Sequence, residues 1–67
     1  MENKTAPELL NDWLKREGRK GLWLASVLGV NKGAMTCWRR GHNPPLPPYR
    51  REIERITEGA VPASAWK

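Results

Sequence analysis

One cysteine, Cys37, one histidine, His42, and no phenylalanine occur among the 67 residues. A single thiol forms no internal disulfide, and one histidine with one cysteine makes no cluster of metal ligands. Cys37 has no histidine or carboxylate at helical spacing to activate it as a nucleophile. Paired carboxylates and a glycine-rich phosphate loop are missing, and His42 with Tyr49 builds no site, so a chain that is not an enzyme and carries no cofactor is expected. No apolar run approaches the ~18 residues of a membrane span, and Met1-Glu2-Asn3-Lys4 lacks the apolar stretch of an export signal. A cytoplasmic protein without membrane partner or small-molecule ligand is the resulting expectation.

Acidic residues are scarce in the middle of the chain. From Lys15 to Arg51 nine basic residues stand against one acid, Glu17, a local charge of +8, while the remaining residues are net −3. Charge segregated in this way makes a directed positive field suited to a polyanion, with a merely solvated basic surface as the alternative. The basic residues are spread over several short segments, not along one amphipathic stripe, which disfavours a membrane surface. Hydrophobic residues make up 39% of the chain, four of them tryptophans, enough for one core. A chain of this size buries only about 60% of its unfolded surface, so stability is modest.

Helical punctuation recurs. Thr5-Ala6-Pro7-Glu8 has the layout of a capping box, and Leu9, Leu10, Trp13 and Leu14 follow at helical spacing up to Gly18, predicting a helix over 6–17. Leu24, Ala25 and Leu28 form the stripe of a second helix over 20–28, closed by Gly29. Asn31 is a good N-cap for a third over 32–39, with Ala34, Met35 and Trp38 apolar and Gly41 as its stop. The prolines of 42–48 make a stiff connector. Pro48 can open a fourth helix in which Tyr49, Ile53 and Ile56 face the core, ending at Gly59. The conformation of Ala60 to Lys67 is left open. No β-alternation and no internal repeat occur.

Two short helices joined through Leu28-Gly29-Val30-Asn31 meet the requirements of a helix-turn-helix unit. Ala25 is small where the next helix crosses, Gly29 permits a left-handed turn, and Leu24, Leu28, Val30, Met35 and Trp38 fill the wedge. The stretch from Gly21 to Gly41, Gly-Leu-Trp-Leu-Ala-Ser-Val-Leu-Gly-Val-Asn-Lys-Gly-Ala-Met-Thr-Cys-Trp-Arg-Arg-Gly, resembles the Cro and Xre-type phage repressor family. Ile53-Glu54-Arg55-Ile56-Thr57-Glu58-Gly59-Ala60-Val61 is similar to the ending of small Cro-like and antitoxin-type regulators, and the resemblance spans about 8–61.

That resemblance implies an all-α, lambda-repressor-like bundle of four or five short helices. The length of the chain makes it a single domain over 1–67, with the helix-turn-helix unit at about 20–40 and the ends, 1–4 and 62–67, as candidates for flexibility. The resemblance further implies a bacterial or phage-infected cell and a homodimer, at least on DNA, that occupies a palindromic operator in double-stranded DNA. By position, the residues reaching bases are Asn31, Lys32, Gly33, Thr36 and Cys37. Lys32 can donate to guanine, Thr36 offers a hydroxyl and a methyl, and Cys37 gives a small apolar contact. Arg39, Arg40, His42 and Asn43 are expected at phosphates, and Lys20 with the free amides at the start of helix 2 forms a second phosphate clamp. Gly21 stands where relatives often have a Gln that supports the recognition helix, so that support is missing or supplied differently.

Trp13 and Trp38 lie on apolar stripes and are assigned to the core. Trp23 lies off its stripe, either packed on helix 4 or partly exposed. Val61 and Trp66 are candidate dimer contacts, with a fold-back of Trp66 onto its own core as the alternative; helix 4 and the connector are the other candidate dimer surfaces. Arg50, Arg51 and Arg55 either contact phosphate or pair with Glu52, Glu54 and Glu58, pairing being favoured for Arg55. Two rival functions remain: an antitoxin-like module that masks a protein partner, and an excisionase-like factor that bends DNA, against which stands the missing apolar wedge.

Overall fold

Thr5 opens the first helix by satisfying a backbone donor that the helix itself cannot. In the computed structural model, which describes residues 4–66, its hydroxyl accepts from the Glu8 amide at 3.5 Å, while the Glu8 carboxylate accepts from the Thr5 amide at 3.0 Å. This reciprocal cap starts α1, Ala6–Glu17, and Gly18 ends it in the left-handed conformation at φ 67°. The hydrogen bonds from Thr5 hold the Glu8 carboxyl below the ordinary glutamate range. Ala6, Leu10 and Leu14 are buried at helical spacing, with Leu9 and Trp13 packed half-buried beside them.

α2, Gly21–Leu28, is followed by a short turn that leads into α3, Lys32–Arg40. Gly29 at φ 73° supplies the left-handed residue, and Asn31 starts the next helix by accepting from the Ala34 amide at 2.7 Å. α2 and α3 share the largest helix–helix contact in the molecule, and α1 packs across α3. Leu24, Ala25, Met35 and Trp38 close the space between them. The chain is an all-α bundle, as expected, and its first three helices match the sequence-based bounds to within a residue at either end.

α4, Pro47–Ile56, begins one residue earlier than the sequence suggests, because Pro47 and Pro48 both fall in the first turn, where a missing N–H costs nothing. It ends three residues short of Gly59. The buried Thr57 takes over there: its hydroxyl donates to the Ile53 carbonyl at 2.7 Å and accepts from the Val61 amide at 3.1 Å. Glu58 and Gly59, with φ of 54° and 87°, turn the chain back over the core. A 3-10 turn follows at α5, Ala63–Ala65, tethered where the Glu54 carboxylate accepts from the Ala63 amide at 2.8 Å.

The tail is therefore structural, contrary to the flexibility expected at 62–67. Val61 is 0% and Trp66 5% exposed, both inside the core of their own chain. Neither is available as a contact for a second copy, because a domain with so little interior recruits its terminal aromatic. The expectation for residues 1–3 and 67 lies outside the described residues. Trp38 packs against Tyr49 of α4, ring centroids 5.5 Å apart. Trp23 is half-buried and stacks on Trp13 of α1 at 6.3 Å, not on α4. Among the described residues no helix is long and apolar enough to cross a membrane.

Candidate nucleic-acid interface

The burial of Met35 and Trp38 fixes which way α3 faces. Lys32, Gly33, Thr36 and Arg40 are left exposed along its outer side, and Cys37 lies half-buried at the flank. Asn31 is exposed at the start of the same helix, but its carbonyl oxygen is committed to the cap, leaving its amide nitrogen for any outside partner. A ligand approaching α3 from solvent therefore meets two cations, a hydroxyl with its methyl, an amide and a bare stretch of backbone. These groups are the ones that recognise base edges and phosphates.

α2 begins without a side-chain cap, since its N-cap residue is Lys20. The first amides of a helix have no intrahelical acceptor, and they carry the positive end of the helix dipole. This end opens into a cleft of about 400 Å³ whose polar lining includes Arg19, Lys20, Lys32, Thr36 and Arg39, and among the described residues no carboxylate lines it. Four positive charges thus converge on an uncapped helix start, an arrangement that draws anions. The Arg19 guanidinium lies 4.5 Å from the centre of the Trp23 ring, which holds it beside the cleft through its attraction to the indole face.

Carboxylates neutralise cations elsewhere. Among the described residues the ion pairs are Lys4 with Asp12, Arg16 with Glu17 and Arg55 with Glu52. The pairing expected for Arg55 is present, at 2.9 Å. Arg50 donates instead to the Pro45 carbonyl at 2.7 Å, bracing the connector. None of the cations lining the cleft has a carboxylate partner among the described residues, nor does Arg40. His42 and Asn43 are exposed in the turn after α3, where Asn43 shares a separate groove with Arg40.

No family model, curated protein or solved structure matches this chain. The structure brings Lys20, Lys32, Thr36 and Arg39 to one cleft and leaves Asn31, Gly33, Arg40, His42 and Asn43 exposed outside its lining. Arg39, expected at a phosphate, is half-buried, and its Nε donates to Asn11 Oδ1 at 2.6 Å. Asn11 Nδ2 donates in turn to the Arg39 carbonyl oxygen at 3.1 Å.

This pair of bonds joins α1 to α3 and accounts for Gly21. A Cβ at that position would run into Arg39 Nη1 and come within 3.1 Å of its Cδ. Arg39 thus fills, against the bare backbone of Gly21, the space that a side chain at position 21 would take. Asn11 reads in the sequence as part of the polar face of helix 1. Its partner is 28 residues away, and no local pattern signals the pairing.

Proposed function

We propose that this chain is a sequence-specific DNA-binding regulator of the Cro type, acting as a repressor that occupies its operator. The observation that carries the reading is the cluster of unneutralised cations around the uncapped start of α2, beside a helix whose exposed side chains are Lys32, Thr36 and Arg40. In this arrangement α3 enters the major groove. Lys32 and Thr36 read base edges, while Arg40, His42, Asn43 and the other cations of the cleft, Arg19, Lys20 and Arg39, contact the backbone and set register.

One such helix reaches only a few base pairs, so the operator is an inverted repeat bound by two copies with half-sites about 34 Å apart. With Val61 and Trp66 buried, the contact between copies falls to α4 and the connector, where Leu46 is 66% exposed. Selection from random duplex DNA, followed by a salt titration of the enriched site against a scrambled duplex, tests the proposal. The expected result is an inverted repeat bound with a steep inverse dependence on salt. Lys32→Ala and Thr36→Ala should each relax selectivity at one or two positions of the half-site, by about 1–3 kcal/mol of discrimination. Failure to enrich any sequence, with weak binding to every duplex, overturns the proposal.

A further inference from the structure

Arg39 is held by a neutral partner. A carboxylate on α1 would bind the guanidinium more strongly, because a charge-assisted hydrogen bond exceeds one to an amide, but it would also cancel the charge. Asn11 fixes the direction of the side chain through Nε and the position of its backbone through the carbonyl, and leaves the full positive charge in place. Both bonds require the same orientation of the amide, since turning it over would set donor against donor at Nε. Gly21 completes the device. It lies within α2 and outside the left-handed region, so its missing side chain matters for the room it gives Arg39, not for backbone freedom.

We propose that Asn11 is a positioning residue for DNA. Acting through Arg39, and in the space left by Gly21, it presents an ordered, unneutralised guanidinium to a backbone phosphate at the α2–α3 cleft. The proposal rests on the DNA-binding reading above. A long cation already ordered in the free protein loses less conformational freedom on binding, so affinity is gained without any contact between Asn11 and the nucleic acid.

The test compares wild type, Asn11→Ala, Asn11→Asp, Arg39→Gln and the Asn11→Ala/Arg39→Gln double variant on the selected duplex across a salt series, alongside urea unfolding of each. Asn11→Ala should weaken binding about two- to tenfold, the cost of ordering one long side chain, with an unchanged salt slope. Arg39→Gln and Asn11→Asp should both weaken binding and flatten the slope by about 0.9, one phosphate contact. In the Arg39→Gln background, Asn11→Ala should have almost no further effect. Gly21→Ala keeps every polar group and favours the helix, so it serves if the Asn11 variants fail to fold: its urea midpoint should hold while binding weakens. Equal losses from Asn11→Ala in both backgrounds, an Asn11→Asp protein that binds like wild type, or a Gly21→Ala protein of undiminished affinity would each overturn the inference. A wild-type chain that binds no duplex overturns the DNA reading itself, and the inference with it.

Discussion

Glu58 holds a backbone conformation that side chains other than glycine avoid, at φ 54°, and it is exposed, so its side chain gains nothing from the core. Glu58→Gly should therefore stabilise the chain by about 0.5–1 kcal/mol, net of the greater freedom glycine has when unfolded, as read from the shift of a urea midpoint. Trp66 presents a different residue-level conflict: a large buried ring whose indole N–H has no acceptor among the described residues. Trp66→Ala should cost about 3–5 kcal/mol, the scale for emptying a buried aromatic site. Trp66→Phe should cost much less, because it keeps most of the ring and removes a donor whose unpaired burial is worth about 1–3 kcal/mol. Equal losses for the two variants in thermal or urea unfolding would contradict this account. Neither conflict is legible from neighbouring residues, since each arises where the chain turns back on a core assembled from distant segments.

At the scale of helices, local chemistry is readable and its consequences can be measured. The Glu8 carboxyl is held below its ordinary range chiefly by the Thr5 amide, with the Thr5 hydroxyl second. A carboxyl lowered in the folded state stabilises most above the pKa of the unfolded chain, and that contribution is lost as the pH falls through the folded value. The start of α1 should therefore loosen from about pH 5 downward, seen as faster amide exchange at Glu8 and Leu9 after correction for intrinsic rates. Glu8→Gln should remove that pH dependence. Asn31→Ala should cost about 1 kcal/mol by uncapping α3, measurable by urea unfolding. Thr5, Gly18, Gly29, Asn31 and Gly41 mark helix ends in the sequence because a cap is satisfied within a few residues. The end of α4 escaped such reading because Thr57 bonds forward to Val61, and a threonine inside a helical pattern looks ordinary.

Over the whole molecule, charge is sorted as the sequence suggests, and the folded chain sharpens the sorting. Lys4, Arg16 and Arg55 face carboxylates, whereas the basic residues at the α2–α3 cleft have no carboxylate partner among the described residues. On the proposed DNA reading, raising the salt should weaken binding steeply, with a slope of log affinity against log salt of about −0.9 for each phosphate engaged. Arg55→Gln, which breaks a remote ion pair, should leave that slope unchanged. The helix-turn-helix face was legible because its apolar wedge and outward polar residues follow one helical period. The Asn11–Arg39 brace was not, since it depends on how two helices cross.

The pairing of Arg19 with Trp23 has an optical consequence. The indole is flanked by the Trp13 ring and by a guanidinium that also lines the cleft. On the proposed DNA reading, a phosphate entering the cleft would compete for that guanidinium and change the electric field across the indole, shifting its emission. Tryptophan emission followed during a titration with duplex DNA would then report occupancy of the cleft without a label.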